Sequence, residues 1–438
     1  MHARQVPYMP LALHLAVVGI AYLAAMVALA VTQAPLGSPL FFALATVAII
    51  AYTLMLARVW NARELRRGVF FSTLAFALFF RAPLAVGPVN PDNDMIRYLW
   101  DGRVQQLGIN PYLVVPADPE LAWTHTPETR QMPSARDKTP YPPAAQLFFR
   151  LVVSLHNSAH AMKLALVLCD LLTILVVWRW LVATGRNQWL TLAYAWNPLV
   201  VLEVAHSGHI DALGALWIAA AAYWLARRRS ALATIAFVFA VATKLLPIVL
   251  APLFWRRIRT RDAVFGAALF ALLYIPFSGG PQIALGGVGR VVEHVRFNGP
   301  VFRGIAAATN PPIAAATAVV LGLLVAAWCR WKLGAEHPAS WAWPMAIALA
   351  CAPVIYPWYL LYITPFLVST ATLPLMAWTI SIIPVYVVWE ISRAGGRWLV
   401  PVGVLVLESS VVLATCAAVV LRRRRRVPAI PPASAPTE

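Results

Sequence analysis

One short stretch of the sequence concentrates side chains that could do chemistry. Asp94, Arg97, Tyr98 and Asp101 follow i, i+3, i+4, i+7 spacing, which places all four on one face if the stretch is helical. Asp92 lies just upstream and can cap such a helix. The stretch therefore has two interpretations. It is either a capped helix with an Arg–Asp surface pair, or a base carboxylate beside an arginine that binds an anion.

A second polar cluster lies further along the chain. His206, His209 and Asp211 are close together, with Glu203 one turn earlier. Two histidines and two acids could ligate a metal, but this spacing is a weak zinc signal. The favoured interpretation is a set of polar residues lining a cavity, in which a histidine or an aspartate contacts a sugar or a phosphate.

The elements that must position these residues are membrane helices. The chain has 438 residues, of which 61% are hydrophobic and only 12% are charged. Apolar runs long enough to cross a hydrocarbon core of about 30 Å recur from end to end. Lipid offers no partner to an unpaired backbone group, so these runs are predicted to be helices. The sequence therefore predicts an all-α polytopic membrane protein.

The formal net charge of +18 indicates orientation and not a nucleic-acid partner. The arginines gather between or after the apolar runs, at 58–67, 227–229, 256–261 and 422–426. Such clusters mark cytoplasmic connections. We therefore expect both termini in the cytoplasm and one long acidic loop, about 88–158, on the outer side of a bacterial inner membrane. Residues 1–421 form a single predicted domain, and 422–438 a basic, Pro/Ala-rich tail that is expected to be disordered.

The apolar runs predict about twelve transmembrane helices and one re-entrant hairpin. The hairpin is 231–255, which has the length of one span but is basic on both flanks. If it turns near Lys244 and Pro247, all later arginine clusters stay on the cytoplasmic side. Lys244 would then lie at membrane depth and line a cavity. The predicted spans are near 10–32, 39–57, 69–87, 160–182, 188–204, 210–226, 262–279, 313–331, 340–357, 359–373, 374–390 and 398–421.

Several cations fall on the outer side, where the orientation rule does not expect them. A natural reason for such cations is the binding of an anionic head group. They are Arg81, Arg290, Arg296 and Arg303. Within one predicted span, Lys163 and Asp170 are expected to pair inside the bundle.

The last candidate feature is a group of four aromatic residues. Tyr356, Trp358, Tyr359 and Tyr362 lie at an outer end of a predicted span. Anchoring in the interfacial belt of the lipid is the favoured interpretation, and stacking against a sugar is the alternative.

Together these stretches resemble a known family. The run from Asp94 to Arg103, continued by Gly108-Ile109-Asn110-Pro111-Tyr112, resembles the outer-loop signature of the GT-C glycosyltransferases. The likeness is in particular to bacterial polyprenol-phosphate-mannose-dependent mannosyltransferases, of the glycosyltransferase family 87 type and its alpha-(1→6)-mannosyltransferase relatives. Three later stretches are similar in the same order, and the likeness covers roughly residues 85–365. These stretches are Ser207 to Leu213, Lys244 to Pro247 and Pro357 to Tyr359.

The resemblance implies a GT-C-like bundle and an integral membrane glycosyltransferase. Such an enzyme would transfer a sugar, mannose by family likeness, from a polyprenyl-phosphate donor to a lipid-linked or polymeric glycan acceptor, with inversion at the anomeric carbon. Relatives place an acidic residue of the first large outer loop at the reaction centre. This corresponds to Asp94, with Asp92 as the second candidate. One departure from many relatives is that two further spans precede the loop.

Transfer from a polyprenyl-phosphate donor also implies roles for other residues. A departing lipid phosphate gains negative charge, which cations stabilise. The candidate cations are Arg97, Lys244 and Arg303, and the candidate sugar-pocket residues are His209, Asp211, Tyr141 and Tyr359. No metal is required for a monophosphate donor, although an Asp-x-Asp pair can also hold Mn²⁺ or Mg²⁺.

Two other functions are compatible with a polytopic, basic chain. A transporter or flippase for lipid-linked sugars would favour internal inverted repeats and charges near the bilayer midplane. A scaffold subunit would use the loop acids only for docking. The acidic residues gather on one side and no repeat is visible, which favours an enzyme over a transporter.

Overall fold

A computed structural model describes residues 9–62, 64–89, 94–132, 134–279 and 286–425. Within these ranges the chain is helical, and the only β-type pairing is an isolated bridge between Phe297 and Val354. The predicted all-α polytopic class is therefore confirmed. The α-helices are α1 (Leu11–Thr32), α2 (Pro39–Val59), α3 (Arg67–Ala85), α4 (Met95–Gln106), α5 (Pro143–Leu155), α6 (Ala159–Ala183), α7 (Thr191–Ala195), α8 (Pro198–Val201), α9 (Asp211–Ala226), α10 (Ser230–Thr243), α11 (Thr260–Tyr274), α12 (Val288–His294), α13 (Pro300–Ala308), α14 (Pro311–Lys332), α15 (Pro338–Ala350), α16 (Leu373–Ser381), α17 (Val387–Arg393) and α18 (Val402–Arg425).

Eight helical segments of the described chain are long and apolar enough to cross a membrane. They are α1, α2, α3, α6, α14 and the segments Thr260–Phe277, Thr370–Arg393 and Val402–Arg422. The number of long continuous spans is thus smaller than the twelve predicted. The other predicted spans are shorter helices, such as α9 and α15, or broken segments. We call the end of the bundle that carries Arg58 and Arg227 the basic face, and the end that carries α4 and α5 the loop face.

The predicted span 188–204 is broken into short pieces and still joins the two faces. At the basic face, the Asn187 side chain donates to the carbonyl groups of Val59 and Trp60. At the loop face, the Ile210 backbone N–H donates to the Tyr98 hydroxyl. Between these ends lie a 3-10 turn, α7, α8 and the π-helical turn Leu202–His206. The break before Pro198 follows from its missing N–H.

The predicted span 359–373 consists of 3-10 turns at Pro357–Tyr362, Thr364–Phe366 and Thr370–Thr372. Its first turn packs on the loop-face residue His209. Phe366 lies against Trp341, in the first turn of α15, with a ring separation of 5.5 Å. Two prolines in these turns remove backbone donors, so a regular α-helix is disfavoured.

The re-entrant hairpin is supported by a hydrogen bond between its two ends. The backbone N–H of Arg259 donates to the Ser230 hydroxyl at 2.9 Å, so the segment returns to where it began. Its outward arm is α10, and its return arm is the 3-10 segment Leu246–Phe254. The chain turns at Lys244, whose backbone is extended. The hairpin therefore carries Lys244 from the basic face to the loop-face end of α9.

The outer loop is fastened by one buried carboxylate. Asp101 accepts hydrogen bonds from Arg97 Nε at 2.6 Å, from the Thr139 hydroxyl at 2.6 Å and from Gln146 Nε2 at 2.8 Å. Gly102 lets α4 lie directly on α5, because a Cβ there would be 2.6 Å from the Phe149 carbonyl oxygen. These contacts fix the direction in which α4 begins.

Two predictions about buried charge were wrong. Asp170 pairs with Arg81 and accepts from the Tyr194 hydroxyl at 2.7 Å, and not from Lys163. Lys163 donates instead to the carbonyl oxygens of Leu84 and Gly87, which end α3. Arg81 is fully buried in this pair and is not available to an outer head group.

The last helix extends into the segment that was predicted as a tail. α18 continues to Arg425, so the first arginines of the basic cluster are helical. The remainder, 426–438, lies outside the described residues.

Candidate active site

Asp94 occupies the N-cap position of α4, and its side chain makes no capping hydrogen bond. The helix begins at Met95, one residue later than predicted. Asp94 is 39% exposed in its side chain, whereas most of α4 behind it is buried. The carboxylate is therefore not used to cap the helix. Asp92 lies outside the described residues.

Polar groups from three separate segments surround the Asp94 carboxylate. The Tyr141 hydroxyl donates to it, and Tyr141 packs edge-on against Tyr98 at 5.1 Å. Lys244 and Asp211 are the charged groups that act most strongly on Asp94. Partial burial raises the pKa of Asp94, while the positive charge of Lys244 acts in the opposite sense. A carboxyl with a raised pKa is a better proton acceptor than a fully solvated one.

The turn between the π-helical segment and α9 forms the second wall of the site. Gly208 adopts φ +74° and lies so close to α4 that a Cβ would be 1.8 Å from the Met95 methyl group. This approach brings His209 Nδ1 to 3.9 Å from Asp94 Oδ2. His209 Nε2 lies 3.3 Å from Glu203 Oε2 on its other side.

The aromatic group is part of this wall. The Trp358 ring stacks on His209 at 4.0 Å with an interplanar angle of 8°. Tyr356 stacks on the other face of Trp358 at 4.4 Å. Trp358 is only 7% exposed and Tyr362 is fully buried. The interpretation as a lipid-facing belt was therefore wrong for these two residues.

Lys244 and Asp211 form the ion pair of the site. Lys244 Nζ lies 2.6 Å from Asp211 Oδ1, and the side chains are 24% and 1% exposed. The ammonium group also lies 3.5 Å from the centre of the Tyr359 ring. Desolvated cation–π and ion-pair contacts hold the ammonium in one place. The hairpin therefore delivers a fixed positive charge beside Asp94.

Two candidate phosphate-binding residues are not brought into this arrangement. Arg97 pairs with Asp101 at 2.6 Å and donates to the Asp137 carbonyl oxygen, and its side chain is only 6% exposed. The predicted Arg–Asp pair therefore exists, but it is buried and not on the surface. Arg303 lies on the exposed face of α13, and the described residues show no hydrogen bond from its side chain to the site.

The described residues bring together Asp94, Tyr141, His209, Asp211, Lys244 and Tyr359 from the sequence-predicted set. The sequence placed Trp358 in an aromatic group and Glu203 in the second polar cluster, but neither was one of the named site residues. The Pro-Trp-Tyr run was a signal for the first, and the helical spacing before His206 was a signal for the second. No group of three or more His, Cys, Asp or Glu side chains with the arrangement of a metal site occurs in the described part of the chain.

Comparison with known proteins identifies the family of the chain. Residues 11–258, which carry α4, the His209 turn and Lys244, match the family described as Alpha-(1->6)-mannopyranosyltransferase, N-terminal domain. No curated protein and no solved structure matches the chain.

Proposed function

Because the chain belongs to the alpha-(1->6)-mannopyranosyltransferase family, we propose that it transfers mannose from a polyprenyl-phosphate donor to a lipid-linked or polymeric glycan acceptor. The observation that carries this proposal is the partly exposed Asp94 carboxylate beside the fixed cation Lys244. A glycosyl transfer needs both a base for the acceptor and positive charge for the leaving group.

Asp94 acts as the general base in this proposal. Its carboxylate takes the proton of the acceptor hydroxyl while that oxygen attacks the anomeric carbon. The bond between the anomeric carbon and the phosphate oxygen breaks on the opposite side, so the configuration inverts. The hydroxyl proton ends on Asp94 and leaves through its exposed side.

Lys244 stabilises the departing polyprenyl phosphate. The charge on that group grows as the bond breaks, and a preorganised cation is worth more in a water-poor site than in bulk water. The sugar lies against Tyr141, His209, Asp211 and Tyr359, whose rings and polar atoms converge on Asp94. Arg97 supports this site from behind, through Asp101, and Arg303 remains a proposed contact for the donor at the membrane surface.

The arginine distribution supports an orientation with the basic face in the cytoplasm and the loop face outside the inner membrane. The donor lipid then reaches Asp94 from the outer leaflet. The monophosphate leaving group is served by Lys244, so we propose that no metal is required. Transfer that persists at full rate in EDTA would support this.

The function is tested by supplying labelled polyprenyl-phosphate mannose and acceptor lipid to purified protein. Asp94→Asn removes the base with little change in shape, and transfer is expected to fall at least about a hundredfold. Glu120→Gln, the same chemical change at an exposed residue of the same loop, serves as the control. Undiminished transfer by Asp94→Asn would contradict the assigned role. Movement of the labelled lipid across the membrane without transfer would instead indicate a flippase.

A further inference from the structure

Glu203 is a buried acid that the proposed reaction does not use. Its side chain is 0% exposed, and neither carboxyl oxygen has a formed hydrogen bond among the described residues. The charged groups that face it are Asp94 and Asp211, both acidic. An unpaired buried carboxylate is strongly disfavoured, and neighbouring acids disfavour it further. These surroundings favour the protonated form of Glu203.

The backbone around Glu203 is unusual in the same place. Glu203 lies in the π-helical turn Leu202–His206, and its carbonyl oxygen accepts from the His209 backbone N–H at 3.0 Å. Single π-helical turns are rare and recur at functional sites. This turn aims the Glu203 carboxyl at the His209 ring.

Glu203, His209 and Asp94 form a chain of three groups. Glu203 Oε2 lies 3.3 Å from His209 Nε2, and His209 Nδ1 lies 3.9 Å from Asp94 Oδ2. The stack with Trp358 fixes the plane of the imidazole between them. Neither contact is a formed hydrogen bond among the described residues, and catalytic hydrogen bonds are often long without substrate and shorten when it binds.

We propose that Glu203 is a positioning residue that sets the tautomer of His209. The protonated Glu203 carboxyl donates to Nε2, so the ring proton must lie on Nδ1. That N–H then donates to Asp94 Oδ2 and leaves the other Asp94 oxygen for the acceptor hydroxyl. Glu203 and His209 keep their protons throughout, and only Asp94 gains one. This inference rests on the proposed function of Asp94 as the base.

The arrangement has a consequence for pH dependence. Lys244, Asp211 and Tyr141 also act on Asp94, as does the more distant charge of Arg97 in its pair with Asp101, and the inference concerns only the added donor from His209. The other groups facing His209 are Lys244 and His206. A donor to a carboxylate stabilises its ionised form. Loss of that donor therefore moves the acid limb of kcat/KM to higher pH.

The experiment compares Glu203→Leu with Glu203→Gln in the purified full chain. Leucine removes the donor to Nε2, so kcat is expected to fall roughly tenfold and the acid limb to move to higher pH. The glutamine amide restores a donor to Nε2 and is expected to recover most of the lost kcat and the parental acid limb. Glu408→Leu is the matched control, because Glu408 is also a buried acid but bonds to Trp378 and Asn298, away from the site.

Three outcomes overturn the inference. The first is an acid limb of kcat/KM that does not move in folded Glu203→Leu. The second is a loss of kcat in Glu203→Gln as large as that in Glu203→Leu. The third is the same shift of the acid limb in Glu408→Leu. If Glu203→Leu does not fold, an acid limb moved to higher pH in Glu203→Gln is enough to reject it. Failure of the proposed function is recognised separately, as full transfer by Asp94→Asn.

Discussion

Two ion pairs in this protein differ in what surrounds them. Arg81 and Asp170 lie between α3 and α6, and both side chains are fully buried. Arg81 also donates to the carbonyl oxygens of Ala77 and Ala195, and Asp170 accepts from Tyr194. Lys244 and Asp211 also lie close together, but Lys244 remains 24% exposed and faces Asp94.

The difference distinguishes a structural ion pair from the pair that we propose to act in the reaction. The Arg81–Asp170 pair is closed by protein groups on every side that the structure describes, so a substrate has no access to it. The Lys244–Asp211 pair keeps one side open toward Asp94. Charge inside a membrane protein is therefore a weak guide to function unless its accessibility is known.

The largest expected effect is on the closed pair. Asp170→Asn leaves Arg81 buried without its counter-charge, which costs about 3–5 kcal/mol in the free energy of unfolding. Thermal unfolding in detergent measures this loss. Folded molecules of the variant should retain parental transfer per molecule, because Asp170 does not contact the site. If Asp170→Asn lost transfer but kept the stability of the parent, the structural role of the Arg81–Asp170 pair would be contradicted.

The open pair should respond in the opposite way. Lys244→Met removes the cation beside Asp94, and kcat/KM for transfer is expected to fall about a hundredfold. The loss of stability should be smaller than for Asp170→Asn, because Lys244 is partly exposed. Parallel measurements of transfer and thermal unfolding on both variants test this. Transfer within twofold of the parent would remove Lys244 from the reaction.

The smallest effect concerns pH. Asp94 must be ionised to act as a base, and burial raises its pKa. Asp94 therefore keeps its proton to higher pH than a solvated carboxyl does. The rate of transfer should decline about tenfold per pH unit below the pKa of Asp94. Lys244 lowers the pKa of Asp94, so Lys244→Met should move the acid limb to higher pH. A pH–rate profile of both proteins shows the shift, and an acid limb that moves to lower pH would contradict it.

Much of the architecture followed from the sequence. The all-α class, the boundaries of α1, α2 and α6, and the return of the hairpin near Lys244 were predicted from apolar length and arginine placement. These features depend on local composition and on the cost of placing charge or open backbone in lipid, which sequence records directly. Asp94 was singled out for two reasons. Acidic residues are scarce in this chain, and the motif that contains Asp94 resembles the outer-loop signature of the GT-C glycosyltransferases.

The partners of the charged residues depended on tertiary structure. Lys163 and Asp170 lie on one helix, yet Asp170 pairs with Arg81 from α3, and Arg97 is taken by Asp101. Trp358 was expected in lipid but stacks on His209. Sequence spacing defines neighbours within one helix only. Contacts between distant segments decide which helices pair, how the crossing at 188–206 is broken and how closely Gly208 approaches α4. The sequence by itself determined a membrane bundle with an acidic outer loop, and only the tertiary structure decided which charges remain open, because burial depends on what packs around each pair.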